Sequence, residues 1–275
     1  MTGAELVRQA QSRGWDVAVL THADLDIADM RAVEDAVARV QPNVVFNAAA
    51  YTAVDAAEDD AESAMAVNGT GAGNIARAAR LNDAWMIHIS TDYVFNGESS
   101  RAYKPDDCVA PLNVYGESKL AGEIAVRDEC AYHVIVRTSW VYSHEGKNFV
   151  RTMLRAADEG RTLKVVNDQH GSPTSSSDLA AALIEVASKV REFELPGTYH
   201  FCNVGSTTWY DFAREIFRLR GGAEPSIQPI STDEFAARAK RPKSSVLDCD
   251  SFISTFGVEP RQWTVALKET MEKLS

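Results

Sequence analysis

The chain has 275 residues, 45% of them apolar, enough to bury a full core as one large α/β domain or a large domain with a small appendage. A formal net charge of −11 argues against a nucleic-acid partner, which needs a basic face. The four cysteines, Cys108, Cys130, Cys202 and Cys249, form no disulfide or zinc pattern, and no apolar window reaches the roughly 18 residues of a membrane span or resembles an export signal. The expectation is a cytoplasmic protein with reduced thiols.

Short apolar runs alternate with amphipathic stretches over the first two thirds, the rhythm of βαβ units on a parallel sheet. The expected strands are Asp16 to Leu20, Asn43 to Ala50, Trp85 to Ser90 and His133 to Thr138. Helical spacing occupies Met30 to Val40, Ala61 to Leu81 and Tyr115 to Glu129, with Met65, Ile75, Ala79 and Leu81 as the positions to be buried on the sheet. Beyond about residue 143, Gly, Ser and Pro signals separate helices expected at Asn148 to Asp158, Ser177 to Val190, Trp209 to Leu219 and Trp263 to Leu274. Arg241-Pro-Lys-Ser-Ser reads as a basic loop between the last two.

A doubly wound sheet starts with a strand and a glycine-rich turn that meets a pyrophosphate at a helix N-terminus. Here Met1-Thr-Gly3-Ala-Glu-Leu6 runs directly into a helical pattern, so Gly3 reads as the last glycine of such a turn. The expectation is an N-terminally shortened sequence of reduced stability and weakened dinucleotide binding.

Tyr115-Gly-Glu-Ser-Lys119 places a phenol and an ammonium four residues apart, on one helix face. A cation beside a phenol favours the phenolate and brings the pair toward acid–base use near neutrality. Ile89-Ser-Thr91-Asp92-Tyr93 ends an apolar strand with hydroxyls, where open α/β sheets place ligands, and Thr91 can polarise a carbonyl held against Tyr115. Asn47-Ala-Ala-Ala-Tyr51-Thr52-Ala-Val-Asp55 ends another strand in small residues that admit a cofactor close to the backbone, with Thr52 and Asp55 able to reach substrate or ribose.

These three segments occur in order with Arg137-Thr-Ser-Trp-Val-Tyr142, Asp168-Gln-His-Gly-Ser-Pro-Thr174, Trp209-Tyr-Asp-Phe-Ala and Arg241-Pro-Lys-Ser-Ser-Val-Leu-Asp248. Together they resemble the dTDP-4-dehydrorhamnose reductase family over almost the whole chain. The resemblance implies a Rossmann-like, doubly wound parallel sheet with a smaller C-terminal substrate-binding part. Residues 1–143 would bind dinucleotide and 144–275 mainly substrate, with about 177–203 returning to the first part. It implies NADPH-dependent reduction of the C4 ketone of a dTDP-6-deoxy-hexulose to dTDP-L-rhamnose. Tyr115 would be the proton donor, Lys119 would hold Tyr115 and the nicotinamide ribose, and Thr91 would stabilise the carbonyl. Asp92 and Trp140 would line the sugar-nucleotide site with Thr91. Gly3, Asp26, Ile27, Ala50, Tyr51 and Thr52 would contact the cofactor with Tyr115 and Lys119.

The position of an acidic ribose ligand falls at Thr21, followed by His22, so NADPH is expected with NADH accepted. Some relatives bridge subunits through a divalent ion such as Mg2+, but no carboxylate cluster here is distinctive enough to name metal ligands. The implied partners are a dTDP-sugar and a second copy of the chain, with no membrane. Two alternatives share the resemblance: another nucleotide-sugar reductase or epimerase, and a non-catalytic regulatory subunit like the β subunit of methionine adenosyltransferase. For Trp140 the alternative is an aromatic packed at the domain junction.

Overall fold

In the computed structural model, which describes residues 1–222 and 225–274, a parallel sheet is built from β1 (Val44–Asn47), β2 (Trp85–Thr91), β3 (His133–Thr138) and β4 (Gly197–His200), in that spatial order. The β2 side chains are almost all buried, as expected for a strand covered on both faces. Alternation along β2 sends Trp85 and Ile87 to one side, where they pack with α1 (Thr2–Ser12) and α6 (Ser176–Phe193) through Leu6, Ala10, Leu179 and Leu183. Met86 faces the other side, against α2 (Met30–Val40), α3 (Ala72–Leu81) and α4 (Val114–Glu129). Each buried Leu or Ile in these layers contributes roughly 1.5–3 kcal/mol.

Helix ends follow local chemistry. Asp29 caps α2 by accepting from Ala32 N–H (3.1 Å), and the helix stops at Gln41 in the left-handed region. Asn113 caps α4 by accepting from Gly116 N–H (2.8 Å), while its amide donates to Lys240 O (2.7 Å) and ties the helix start to the C-terminal segment.

A separate apolar cluster is formed by α5 (Phe149–Asp158), α7 (Trp209–Arg220) and α9 (Trp263–Glu272), with Val150, Met153, Phe212, Ile216 and Leu267 at its centre. The helix α8 (Asp250–Phe256) returns Phe252 and Phe256 to the α1/α6 layer, and β4 joins the central sheet beside β3. Among the described residues no helix is long and apolar enough to cross a membrane.

The structure departs from the sequence reading in four places. Residues 16–20 form no strand, because nothing among the described residues pairs with them. The run from Asn43 to Ala50 is a strand only over Val44–Asn47, where β2 supplies partners. The stretch from Ala61 to Leu81 is not one α-helix, since Ala66–Gly71 is a π-helical turn. That extra residue per turn shifts the phase: Ala64 is buried while Met65 is 41% exposed, and Leu81, at the helix end, is 54% exposed.

Candidate active site

The carboxyl ends of β1 and β2 and the first two turns of α4 bring the expected acid–base residues together. Tyr115, Lys119 and Glu123 stand one turn apart on the face of α4 that covers the sheet. Gly116 allows this approach, because a Cβ there would overlap the Tyr93 carbonyl. Gly122 does the same against the π-turn, where a Cβ would overlap Asn68 O.

Thr91, the last residue of β2, is buried, donates to Asp92 Oδ1 (3.1 Å) and accepts from Tyr93 N–H (3.2 Å). Burial pushes the Tyr115 phenol up to about 12, with the adjacent Thr91 hydroxyl pulling it back and the Asp92 charge adding to the rise. Tyr115 is therefore protonated at neutral pH. The Tyr93 ring meets it edge-on at 5.8 Å and fixes its plane.

Lys119 is 2% exposed and donates to Ile89 O (2.7 Å). Burial pushes it down to about 8, opposed by the Glu123 carboxylate. Among the described residues no carboxylate lies within ion-pair distance of its Nζ. Glu123 is held below the usual carboxylate range: burial works to raise it, but Arg137 grips both oxygens at 2.8 Å and Ser90 donates at 2.7 Å. Asp92 is 2% exposed, its Oδ2 has no partner, and burial pushes it up to about 7 against the hydroxyls of Ser245 and Thr91.

Of the cofactor-side residues, Ala50, Tyr51 and Thr52 follow β1 and are joined to the acid–base helix through Asn68. Its Oδ1 accepts from Tyr51 N–H (2.8 Å) and its amide donates to Tyr51 O (3.0 Å) and Ser118 Oγ (2.9 Å), which donates on to Tyr115 O (2.8 Å). Gly3 lies in the first turn of α1, where a Cβ would sit 3.7 Å from Ala48 Cβ, so helix and strand end meet closely. Ile27 packs against Gly71 and its carbonyl accepts from Asn74 (2.9 Å), whereas Asp26 is exposed and accepts from Ala28 N–H (2.9 Å). Asp55 is turned instead to Arg241 (2.7 Å) and Ala239 N–H (3.1 Å).

Trp140 lies two residues past Thr138, which is in register with Thr91. Its φ of +47° is a strained value for an aromatic residue, and the ring stacks on Trp209 at 3.6 Å over Gly171. Trp140 is partly buried and packs at the edge of the α5/α7/α9 cluster. Asn68, Ser118, Asn47 and His88 were not singled out from sequence. Polar residues inside apolar helical or strand runs were the available signal, since a buried polar group needs a partner.

A family model described as the RmlD substrate binding domain matches residues 1–275. The chain belongs to the dTDP-4-dehydrorhamnose reductase family. It is 43% identical over 279 residues to a dTDP-4-dehydrorhamnose reductase of Streptomyces griseus, covering all of this chain and 91% of that protein. It is 41% identical over 273 residues to a spore coat polysaccharide biosynthesis protein of Bacillus subtilis, covering 99% and 94%. The crystal structure of a dTDP-4-dehydrorhamnose reductase from Bacillus anthracis in complex with NADP superposes with a TM-score of 0.94 at 36% identity, covering 99% of this chain and 95% of that one. The family's parallel-sheet fold is thereby that of this chain.

Proposed function

We propose that this protein reduces the C4 ketone of dTDP-4-dehydrorhamnose with NADPH, giving dTDP-L-rhamnose. What carries the reading is the convergence of Thr91, Tyr115 and Lys119 within a family match spanning the whole chain. A nicotinamide cofactor fits the donor set. Lys119 has one backbone acceptor and no carboxylate, leaving N–H bonds for a ribose diol, and only alanines, Ala48 to Ala50, follow Asn47 at the end of β1. Thr21 is itself uncharged, and its hydroxyl (2.6 Å) and N–H (2.9 Å) both donate to the Asp24 carboxylate; the choice of NADPH is supported by the NADP complex of the Bacillus anthracis relative.

When bound, the cofactor supplies the hydride. The chain's own groups align and polarise the ketone. The Thr91 hydroxyl, beside Tyr115, turns its proton from Asp92 Oδ1 to the ketone oxygen as negative charge builds there. Tyr115 gives its phenolic proton to that oxygen, completing the alcohol. The phenolate left behind is stabilised by the Lys119 ammonium one turn along the helix. Asp92 and Trp140 line the approach to this point from the ends of β2 and β3. The test is loss of NADPH absorbance on adding dTDP-4-dehydrorhamnose, with the product identified by chromatography. Absence of turnover with that sugar, alongside turnover of a different nucleotide keto-sugar, overturns the substrate assignment.

A further inference from the structure

The sheet register sets Asn47 on β1 directly beside His88 on β2, on the face that α4 covers. Asn47 Oδ1 accepts from Ala49 N–H (3.1 Å), which fixes the orientation of the amide. Its Nδ2 is the atom that meets His88, 3.1 Å from Nδ1. An amide nitrogen only donates, so His88 Nδ1 must carry the lone pair. His88 is fully buried, and burial, reinforced by Lys119 and Arg127, holds its pKa well below the ordinary value. The ring is therefore neutral and its single proton sits on Nε2, 3.4 Å from Lys119 Nζ.

Two donors then face each other: the His88 Nε2–H and an ammonium already donating to Ile89 O. The conflict ends when Lys119 gives up a proton and its lone pair accepts from His88. We propose that Asn47 and His88 are positioning residues that set the protonation of Lys119: its ammonium passes a proton to the Tyr115 phenolate, the neutral amine then accepts from His88 Nε2–H, and a proton from water restores the ammonium. Lys119 faces His88 Nε2 across the helix–sheet contact, with Tyr115 and Glu123 one turn to either side on α4, and the Glu123 carboxylate that bears on it is itself paired with Arg137. Burial of Lys119 pushes its pKa down independently of His88. The role in turnover rests on Tyr115 and Lys119 being the catalytic pair, whereas the tautomer does not.

Long-range proton–nitrogen NMR of the protein labelled with 15N-histidine reads the tautomer directly, His88 being assigned by the signal lost in His88→Phe. The expected state is neutral with the proton on Nε2, converting to the Nδ1–H form in Asn47→Asp, whose carboxylate accepts where the amide donated. In steady-state reduction, kcat/KM falls at high pH as Lys119 loses its charge. That fall should move up by at least about half a pH unit in Asn47→Asp, and in the same direction in Asn47→Leu, which frees the ring without adding charge. A wild-type His88 protonated on Nδ1, or on both nitrogens, overturns the proposal, and that spectrum needs no variant of Asn47 to fold. A tautomer that switches while the pH profile stays fixed in both variants overturns the coupling to Lys119. The catalytic assignment fails separately, if Tyr115→Phe turns over normally.

Discussion

Replacing Asp92 by Asn should stabilise the protein above neutrality and leave it nearly unchanged in acid. Burial raises the folded-state pKa of Asp92 from 3.8 to about 7. In that window the folded state holds a proton that the unfolded state has lost, so stability falls as pH rises from about 4 to about 7. At about 1.4 kcal/mol per unit over some three units, the raised pKa of Asp92 costs up to about 4 kcal/mol at pH 8, where it is charged, and about 1.5 at pH 5, where folding must hold it protonated. Asn keeps the shape and carries no charge, so the variant's advantage should grow by about 2–3 kcal/mol between those two pH values. Other buried groups, such as Lys119 and His200, titrate alike in both proteins and cancel in the difference. Urea unfolding of wild type and variant at pH 5 and pH 8, at equal ionic strength, reads this directly. An advantage for Asn that is the same at both pH values would refute the assignment of a buried, proton-holding Asp92.

Tyr115→Phe should lower kcat at least about a hundredfold while NADPH affinity, read by fluorescence titration, changes little, because the proton donor is lost without loss of bulk. Thr91→Val should lower kcat less severely in the same assay. Glu123→Leu should cost about 3–5 kcal/mol in urea unfolding by leaving the buried Arg137 unpaired, and Glu123→Leu combined with Arg137→Leu should recover much of it. Gly122→Ala should lower stability by about 1–3 kcal/mol, because the added methyl meets the Asn68 carbonyl. It should also slow turnover, because Asn68 holds Tyr51 against the Tyr115 helix.

Much of the candidate site was legible because its chemistry lies in local spacing. The step of four from Tyr115 to Lys119 is about one helical turn, and Thr91 at the end of an apolar run is a strand end, whatever the rest of the chain does. Helices such as Met30–Val40 were legible for the same reason, since apolar period and capping residues act within one element. Asp16 to Leu20 failed as a strand because a ladder needs a partner, which no local pattern can supply. Ala61 to Leu81 failed as one helix because the π-turn at Ala66–Gly71 has no periodic signature of its own.

The sequence by itself determined the alternation of strands and helices, the family, and the spacing of the residues proposed for acid–base work, all of which follow from residue types at short separations. Only the tertiary structure decided how those residues are held. Strand register set Asn47 beside His88 and Ser90 beside Arg137, two pairings between residues more than 40 positions apart. Close contact between α4 and the π-turn, possible because Gly122 has no side chain, tied Asn68 to Ser118. Burial, which depends on every layer at once, turned Lys119, Asp92 and Tyr115 from ordinary titrating groups into shifted ones. Low local dielectric and unshared hydrogen bonds are properties of the packed whole, so no window of sequence contains them.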